Sequence, residues 1–148
     1  MQAKEIMTTK VITVSEETPI TQIAEIVSKN RIHGVPVVDQ ENKVVGIITE
    51  TDFFTKEQSN LRYIPQLIDF FKSGKSQNAD EKNQAVEAMI HATAKDIMTK
   101  NCITARPETS IEELIKLVKE HGFNSFPVVD EAGKLVGIVA VYDMIKII

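Results

Sequence analysis

The chain has 148 residues, enough for one ordinary domain or two very small ones, and its 17 Lys and Arg against 21 Asp and Glu leave a net charge of −4. With no basic run, six Phe, two Tyr and no Trp, it offers neither the cationic surface nor the stacking platforms that nucleic acid demands. A 43% hydrophobic content is too high for disorder, while the longest apolar run, Leu135 to Val141, is too short for a bilayer; the N-terminus lacks a signal-peptide stretch and Cys102 has no partner for a disulfide, so a cytoplasmic protein with no membrane partner is expected.

In chain order, Ala-Lys-Glu-Ile-Met-Thr at 3–8 leads into a short β-branched run, Val11-Ile12-Thr13-Val14, which predicts a strand. Thr18 is a good N-cap with Pro19 at the first helical position, and Ile20, Ile23, Ala24 and Val27 recur at helical spacing. Two β runs follow, 35–38 and 44–48, joined by the turn-rich Asp39-Gln-Glu-Asn. Pro36 donates no backbone hydrogen bond, which puts its strand at an edge or at its own beginning. A short helix is expected around Asp52 and Phe53-Phe54. Next, Ile64, Leu67, Ile68 and Phe71, and then Val86, Met89, Ile90 and Ile97, keep helical spacing around the polar stretch 72–83; a helical hairpin is expected.

From residue 94 the opening segment returns. Residues 3–54 align with 94–145 at a constant offset of 91, without a gap and with 20 identities in 52 pairs. Cys102-Ile103-Thr104-Ala105 repeats the first strand, and Thr109-x-x-Glu112 is a capping box before Ile111, Leu114, Ile115 and Val118. Pro127 repeats Pro36. The organisation expected is a first copy over 1–54, a helical insert over 55–93 and a second copy over 94–148. A unit of roughly 50–60 residues buries too little surface to be comfortable alone. The copies should therefore pack about a pseudo-twofold axis, giving an α+β fold with two related clefts at the joint.

The motifs that carry the duplication are Glu/Asp-Ile-Met-Thr, Val/Phe-Pro-Val-Val-Asp and Val-Gly-Ile-x-x-x-x-Asp. In order, spacing and tandem recurrence they resemble the CBS (cystathionine-β-synthase) domain, and the two copies together resemble a CBS pair, or Bateman module, over about 104 of the 148 residues. The resemblance implies a regulatory, non-catalytic module that takes AMP, ADP, ATP or S-adenosylmethionine as a regulatory ligand rather than a cofactor, and that forms a homodimer of pairs.

The family's ribose-phosphate signature, Gly-apolar-x-Ser/Thr-x-x-Asp, is complete in Gly46-Ile-Ile-Thr49-Glu-Thr-Asp52. In Gly137-Ile-Val-Ala140-Val-Tyr-Asp143 the hydroxyl is replaced by Ala140. A carboxylate suits a ribose diol because it can accept from both hydroxyls. A hydroxyl at a helix start sits where phosphate is stabilised. Thr49-x-x-Asp52 is equally an N-capping pattern, but Asp143 persists where the cap hydroxyl is gone, which weighs toward a ligand role for the aspartates. An adenosine phosphate is thus expected chiefly at Thr49 and Asp52. By the same resemblance Thr13 and Thr104 approach the adenine, the backbones of Val35-Pro36 and Phe126-Pro127 pair with its edge, and His33 and Asn124 lie close by. Lys10, Arg31 and Lys100 are the nearest cations, and the sequence does not choose among them.

Other patterns dissolve on inspection. Gly74-Lys75-Ser76 lacks the first P-loop glycine, since position 69 is Asp69. His33, His91, His121 and one cysteine make no zinc spacing, and no nucleophile–base set is present, so neither a metal site nor an enzyme is expected. Phe53-Phe54 and Met144-Ile145 are expected to build the homodimer. Because the chain ends soon after the second motif, it is expected to act in trans on an unidentified protein target. The competing reading is a structural dimerisation scaffold with vestigial pockets.

Overall fold

The computed structural model describes residues 1–55 and 91–148. The expected helical insert, save its ends, lies outside the described residues. The described elements run α1 (Ala3–Ile6), α2 (Ile20–Asn30), β1 (Gly34–Val38), β2 (Val44–Thr49), α3 (Asp52–Thr55), α4 (Ala94–Ile97), β3 (Thr99–Lys100), α5 (Ile111–His121), β4 (Ser125–Val129), β5 (Leu135–Ala140) and α6 (Val141–Ile145). β1 and β2 pair antiparallel, as do β4 and β5, each pair with a bulge at the same place, Val37/Val38 and Val128/Val129.

The copies are interlocked rather than side by side. Ala3 N–H donates to the Thr109 carbonyl (2.8 Å), and its repeat, Ala94 N–H, donates to the Thr18 carbonyl (2.9 Å). Ala92 at the end of the insert, with Ala94, Ile97 and Met98 of the second copy, completes a core with Val14, Ile20, Ile23, Val35, Val37 and Ile48. Ala3 of the first copy reciprocates, joining Ala105, Ile111, Leu114, Phe126, Val128, Val139 and Met144. β3 then pairs with β2 (Gly46↔Lys100, Ile47↔Thr99), and Thr8 bridges Ile138 in the matching position. Each opening arm therefore finishes the other copy's hydrophobic core, which is how two undersized units reach stability.

The pseudo-twofold axis can be located from equivalent residues in contact, because such residues meet only on the axis that relates them. Lys43 bridges Lys134, and Gly34 lies so close to Ser125 that a Cβ on it would stand 3.1 Å from Ser125 Cβ and Oγ. Both pairs are separated by the offset of 91.

Three local expectations are corrected. The runs 11–14 and 102–105 are extended but form only single parallel bridges, Val14↔Val37 and Ala105↔Val128. Val14 N–H donates to the Pro36 carbonyl and Val38 N–H to the Val14 carbonyl; the next rung would need an N–H from Pro36, which has none. The helices start later than expected. Pro19 and Ser110 are the N-caps, with Ser110 Oγ accepting from Glu113 N–H (3.2 Å), while Thr18 and Thr109 accept from Ser15 and Arg106 N–H in the preceding turns. Finally, Leu117 rather than Ile115 packs on the second core, and Ile115 is exposed.

No described helix is long and apolar enough to cross a membrane.

Candidate ligand-binding cleft between the repeats

A cleft of about 230 Å3 opens between the copies. One wall is first-copy chain, Thr8, Lys10, Val11 and Ile12 after α1, with Arg31, Ile32, His33 and Gly34 where α2 turns into β1. The other wall is second-copy chain, Ser125, Ile138, Ala140, Tyr142 and Asp143. The motif aspartate of one copy thus faces the opening strand and helix–strand turn of the other. The sequence suggests one cleft for each copy; the interlocked arms make this cleft a shared one.

Asp143 is half-buried and accepts from Ala140 N–H at 2.8 Å. Asp52 does the same to Thr49 N–H at 2.8 Å, and takes the Thr49 and Thr99 hydroxyls at 3.4 Å each. It is buried, at 6% exposure. Both aspartates therefore close the first turn of a short helix on a backbone donor, a bond that needs no hydroxyl on the preceding residue. This corrects the argument from Ala140: losing the hydroxyl does not remove the capping role of Asp143, so the persistence of that aspartate does not discriminate. The helices themselves span four and five residues, too few for a strong dipole, so phosphate charge at either cleft must be met by side chains.

Lys10 and Arg31 line the cleft of Asp143, and no described residue forms an ion pair with either. His33 also lines it, held through Nδ1 to the Glu50 carboxylate. Arg31 caps α2 in the left-handed region, φ 52° and ψ 44°. The other expected contacts lie elsewhere. Val35, Pro36, Phe126 and Pro127 have fully buried side chains, and the carbonyls of Pro36 and Pro127 already accept from Val14 and Ala105 N–H. Thr13 is half-buried and Thr104 exposed, neither on the walls of this cleft. Thr8, Ile12, Ile32 and Tyr142, which the sequence did not single out, do line it. The offset of 91 was the available signal, but only the arm exchange says which segments meet.

Met144 is buried at 6% exposure in the second core and cannot build a dimer surface; its neighbour Ile145 is 57% exposed. Successive helical residues point about 100° apart, so the two never shared a face. Phe53 packs on the first core, and the Phe54 side chain lies outside the described set. Burial pushes the Cys102 thiol above its ordinary value. The folded state holds that proton more tightly than the unfolded one, so this contribution to stability is present at neutral pH and fades on the alkaline side, as pH climbs through the raised value.

The motifs, the duplication and the shared cleft now stand together with a match of the CBS domain family model to residues 3–58 and 94–148. The chain belongs to the CBS domain family. This CBS pair is 31% identical over 153 residues to the uncharacterized protein MJ1426 of Methanocaldococcus jannaschii, covering 99% of the chain and 90% of that relative. It is 32% identical over 141 residues to inosine-5′-monophosphate dehydrogenase of Bifidobacterium longum, covering 95% of the chain but 21% of the enzyme. It also resembles the crystal structure of the CBS domain pair of protein MJ0100 in complex with 5′-methylthioadenosine and S-adenosyl-L-methionine, with TM-score 0.71 and 26% identity over 99% of this chain and 94% of that one. CBS pairs are regulatory rather than catalytic modules, and the enzyme relative is matched over a fifth of its length.

Proposed function

We propose that this CBS pair is a regulatory sensor that binds an adenosine-containing ligand between its copies and acts in trans on a partner protein. The observation that carries the reading is the cleft itself, where a carboxylate able to accept from a ribose diol faces Lys10, Arg31 and His33. The CBS pair of MJ0100, whose ligands are 5′-methylthioadenosine and S-adenosyl-L-methionine, supports the choice of adenosine chemistry. The carboxylates of Asp52 and Asp143 are the ribose anchors in this reading. Thermal melting with AMP, ADP, ATP, S-adenosylmethionine and NAD tests it. A ligand at about 100 times its Kd adds roughly 2.7 kcal/mol, hence a melting shift of several degrees. No shift from any of the five at millimolar concentration would favour the scaffold reading, which the capping engagement of both aspartates independently supports.

The same proposal includes a homodimer. Exposed Tyr142, Ile145 and Ile147, rather than Met144, are the apolar side chains available to it near α6. Light scattering at micromolar concentration is expected to give twice the chain mass, and a monomer mass refutes the dimer.

A further inference from the structure

The strand register sets one pair of positions in each copy side by side, and the two copies fill it in opposite ways. In the first copy the pair is Gly34↔Thr49; in the second it is Ser125↔Ala140. Directly opposed residues of an antiparallel pair project from the same face of the sheet, with Cβ atoms about 4.5–5.5 Å apart. Each pair therefore carries one hydroxyl, but on opposite strands: at the end of β2 in the first copy and at the start of β4 in the second. The position where Ala140 lacks a hydroxyl thus has a serine as its cross-strand neighbour, and Ser125, Ala140 and Asp143 all line the one cleft.

The Ser125 hydroxyl is also unspent. Ser125 is 7% exposed, yet its side chain has no hydrogen-bond partner among the described residues, whereas Thr49 donates its hydroxyl to Asp52 at 3.4 Å. No fully enclosed side-chain oxygen among the described residues lacks a partner, so Ser125 Oγ must reach open space, and the open space that Ser125 borders is the cleft. On its other side stands Gly34, where a Cβ would lie 3.1 Å from Ser125 Oγ; the glycine of one copy makes the room that the serine of the other fills. A buried hydroxyl left without a partner is costly, which marks this one as waiting for a ligand atom. Thr8 and Tyr142 bring hydroxyls to the same cleft, but both residues are exposed and water satisfies them.

Resting on the adenosine-binding reading above, we infer that Ser125 is a ligand contact of the Asp143 cleft, its hydroxyl donating to the phosphate in place of the hydroxyl that Ala140 lacks. The division of labour follows from donor and acceptor chemistry. A ribose diol offers donors, which the Asp143 carboxylate takes; a phosphate offers acceptors alone. Ser125 meets those together with Lys10 and Arg31, which line the same cleft and have no ion-pair partner among the described residues.

Calorimetric titration of ADP and of adenosine into the full chain tests this. Ser125→Ala removes the hydroxyl and keeps the Cβ beside Gly34. ADP affinity should fall by roughly tenfold or more, with adenosine held within about twofold. The melting temperature without ligand should hold or rise, because an unpartnered buried hydroxyl has been removed. Ser125→Gly combined with Ala140→Thr rebuilds on the second copy the Gly34 and Thr49 pair of the first. It returns the hydroxyl from the opposite strand and should bring ADP affinity back to within about threefold of wild type. Unchanged ADP affinity in Ser125→Ala would overturn the inference. Equal losses for ADP and adenosine would overturn it too, since the serine would then be shaping the cleft rather than meeting the phosphate. A folded double variant that binds ADP no better than Ser125→Ala would refute the exchange of hydroxyls between strands. If neither compound binds the wild type, the adenosine reading fails first and the role of Ser125 with it.

Discussion

Asp143→Asn is expected to weaken ADP binding by roughly 10- to 150-fold, the equivalent of the 1.5–3 kcal/mol typical of a hydrogen bond to a charged group. Asparagine is the informative choice because it separates the ribose-anchoring role proposed for Asp143 from its observed role as a helix cap. One oxygen accepts from Ala140 N–H at 2.8 Å and closes the first turn of α6, and the amide oxygen of asparagine can keep that bond. A ribose diol needs acceptors, and asparagine turns one of the two into a donor. The unliganded melting temperature should therefore move by no more than a few degrees while affinity collapses. Calorimetry and melting on one protein preparation separate the two employments. Intact ADP binding with a lowered melting temperature would show a helix cap and nothing else.

The second large effect concerns stability. Gly137→Ala should lower the melting temperature by roughly 2–12 °C, since overpacking costs about 1–3 kcal/mol and each is worth about 2–4 °C at this size. A Cβ at 137 would stand 2.5 Å from Met7 Sδ, 2.9 Å from its Cγ and 3.1 Å from the Thr8 carbonyl oxygen. Gly46 repeats the contact, with Met98 Sδ at 2.8 Å and the Thr99 carbonyl oxygen at 3.0 Å. The flexible thioether can give way; the backbone carbonyl cannot without disturbing the bridge between Thr8 and Ile138. The Gly137→Ala loss should consequently shrink, but not vanish, in a Met7→Ala background, a non-additivity that denaturation of the four proteins measures. Full additivity would mean that the arm does not pack against this strand.

That contact also explains two of the motifs by which the duplication was recognised. Ile-Met-Thr and Val-Gly-Ile are separated by about forty residues within a copy, yet the methionine and threonine of one copy lie over the glycine of the other. Read along the chain they are independent words. In space they are the two halves of one joint.

The α+β class, the gapless duplication and the two short turns at Asp39 and Asp130 were legible because they depend on residues near one another in sequence. Binary pattern, turn chemistry and self-similarity all operate at that range. The sequence places both helix starts one residue early because Thr18 and Thr109 are good caps, and only the preceding turns show that their hydroxyls are already committed to Ser15 and Arg106 N–H. The strand at 11–14 was overread because β-branched residues signal extension but not a partner, and the partner strand contains Pro36.

For the site, the sequence by itself determined which side chains exist twice and which were altered between copies: Asp52 and Asp143 kept, Thr49 against Ala140, Lys10 and Arg31 against Asn101 and Gly122. It could not pair them. Only the tertiary structure decided that Asp143 faces Lys10, Arg31 and His33, and that both aspartates also cap their own helices. The physical reason is the exchange of arms. Each copy is too small to close its own core, so Ala3 and Ala94 are each buried in the other half; the chain that follows Ala3 is carried across the pseudo-twofold axis to line the cleft of Asp143, and Thr99, following Ala94, is brought against Asp52.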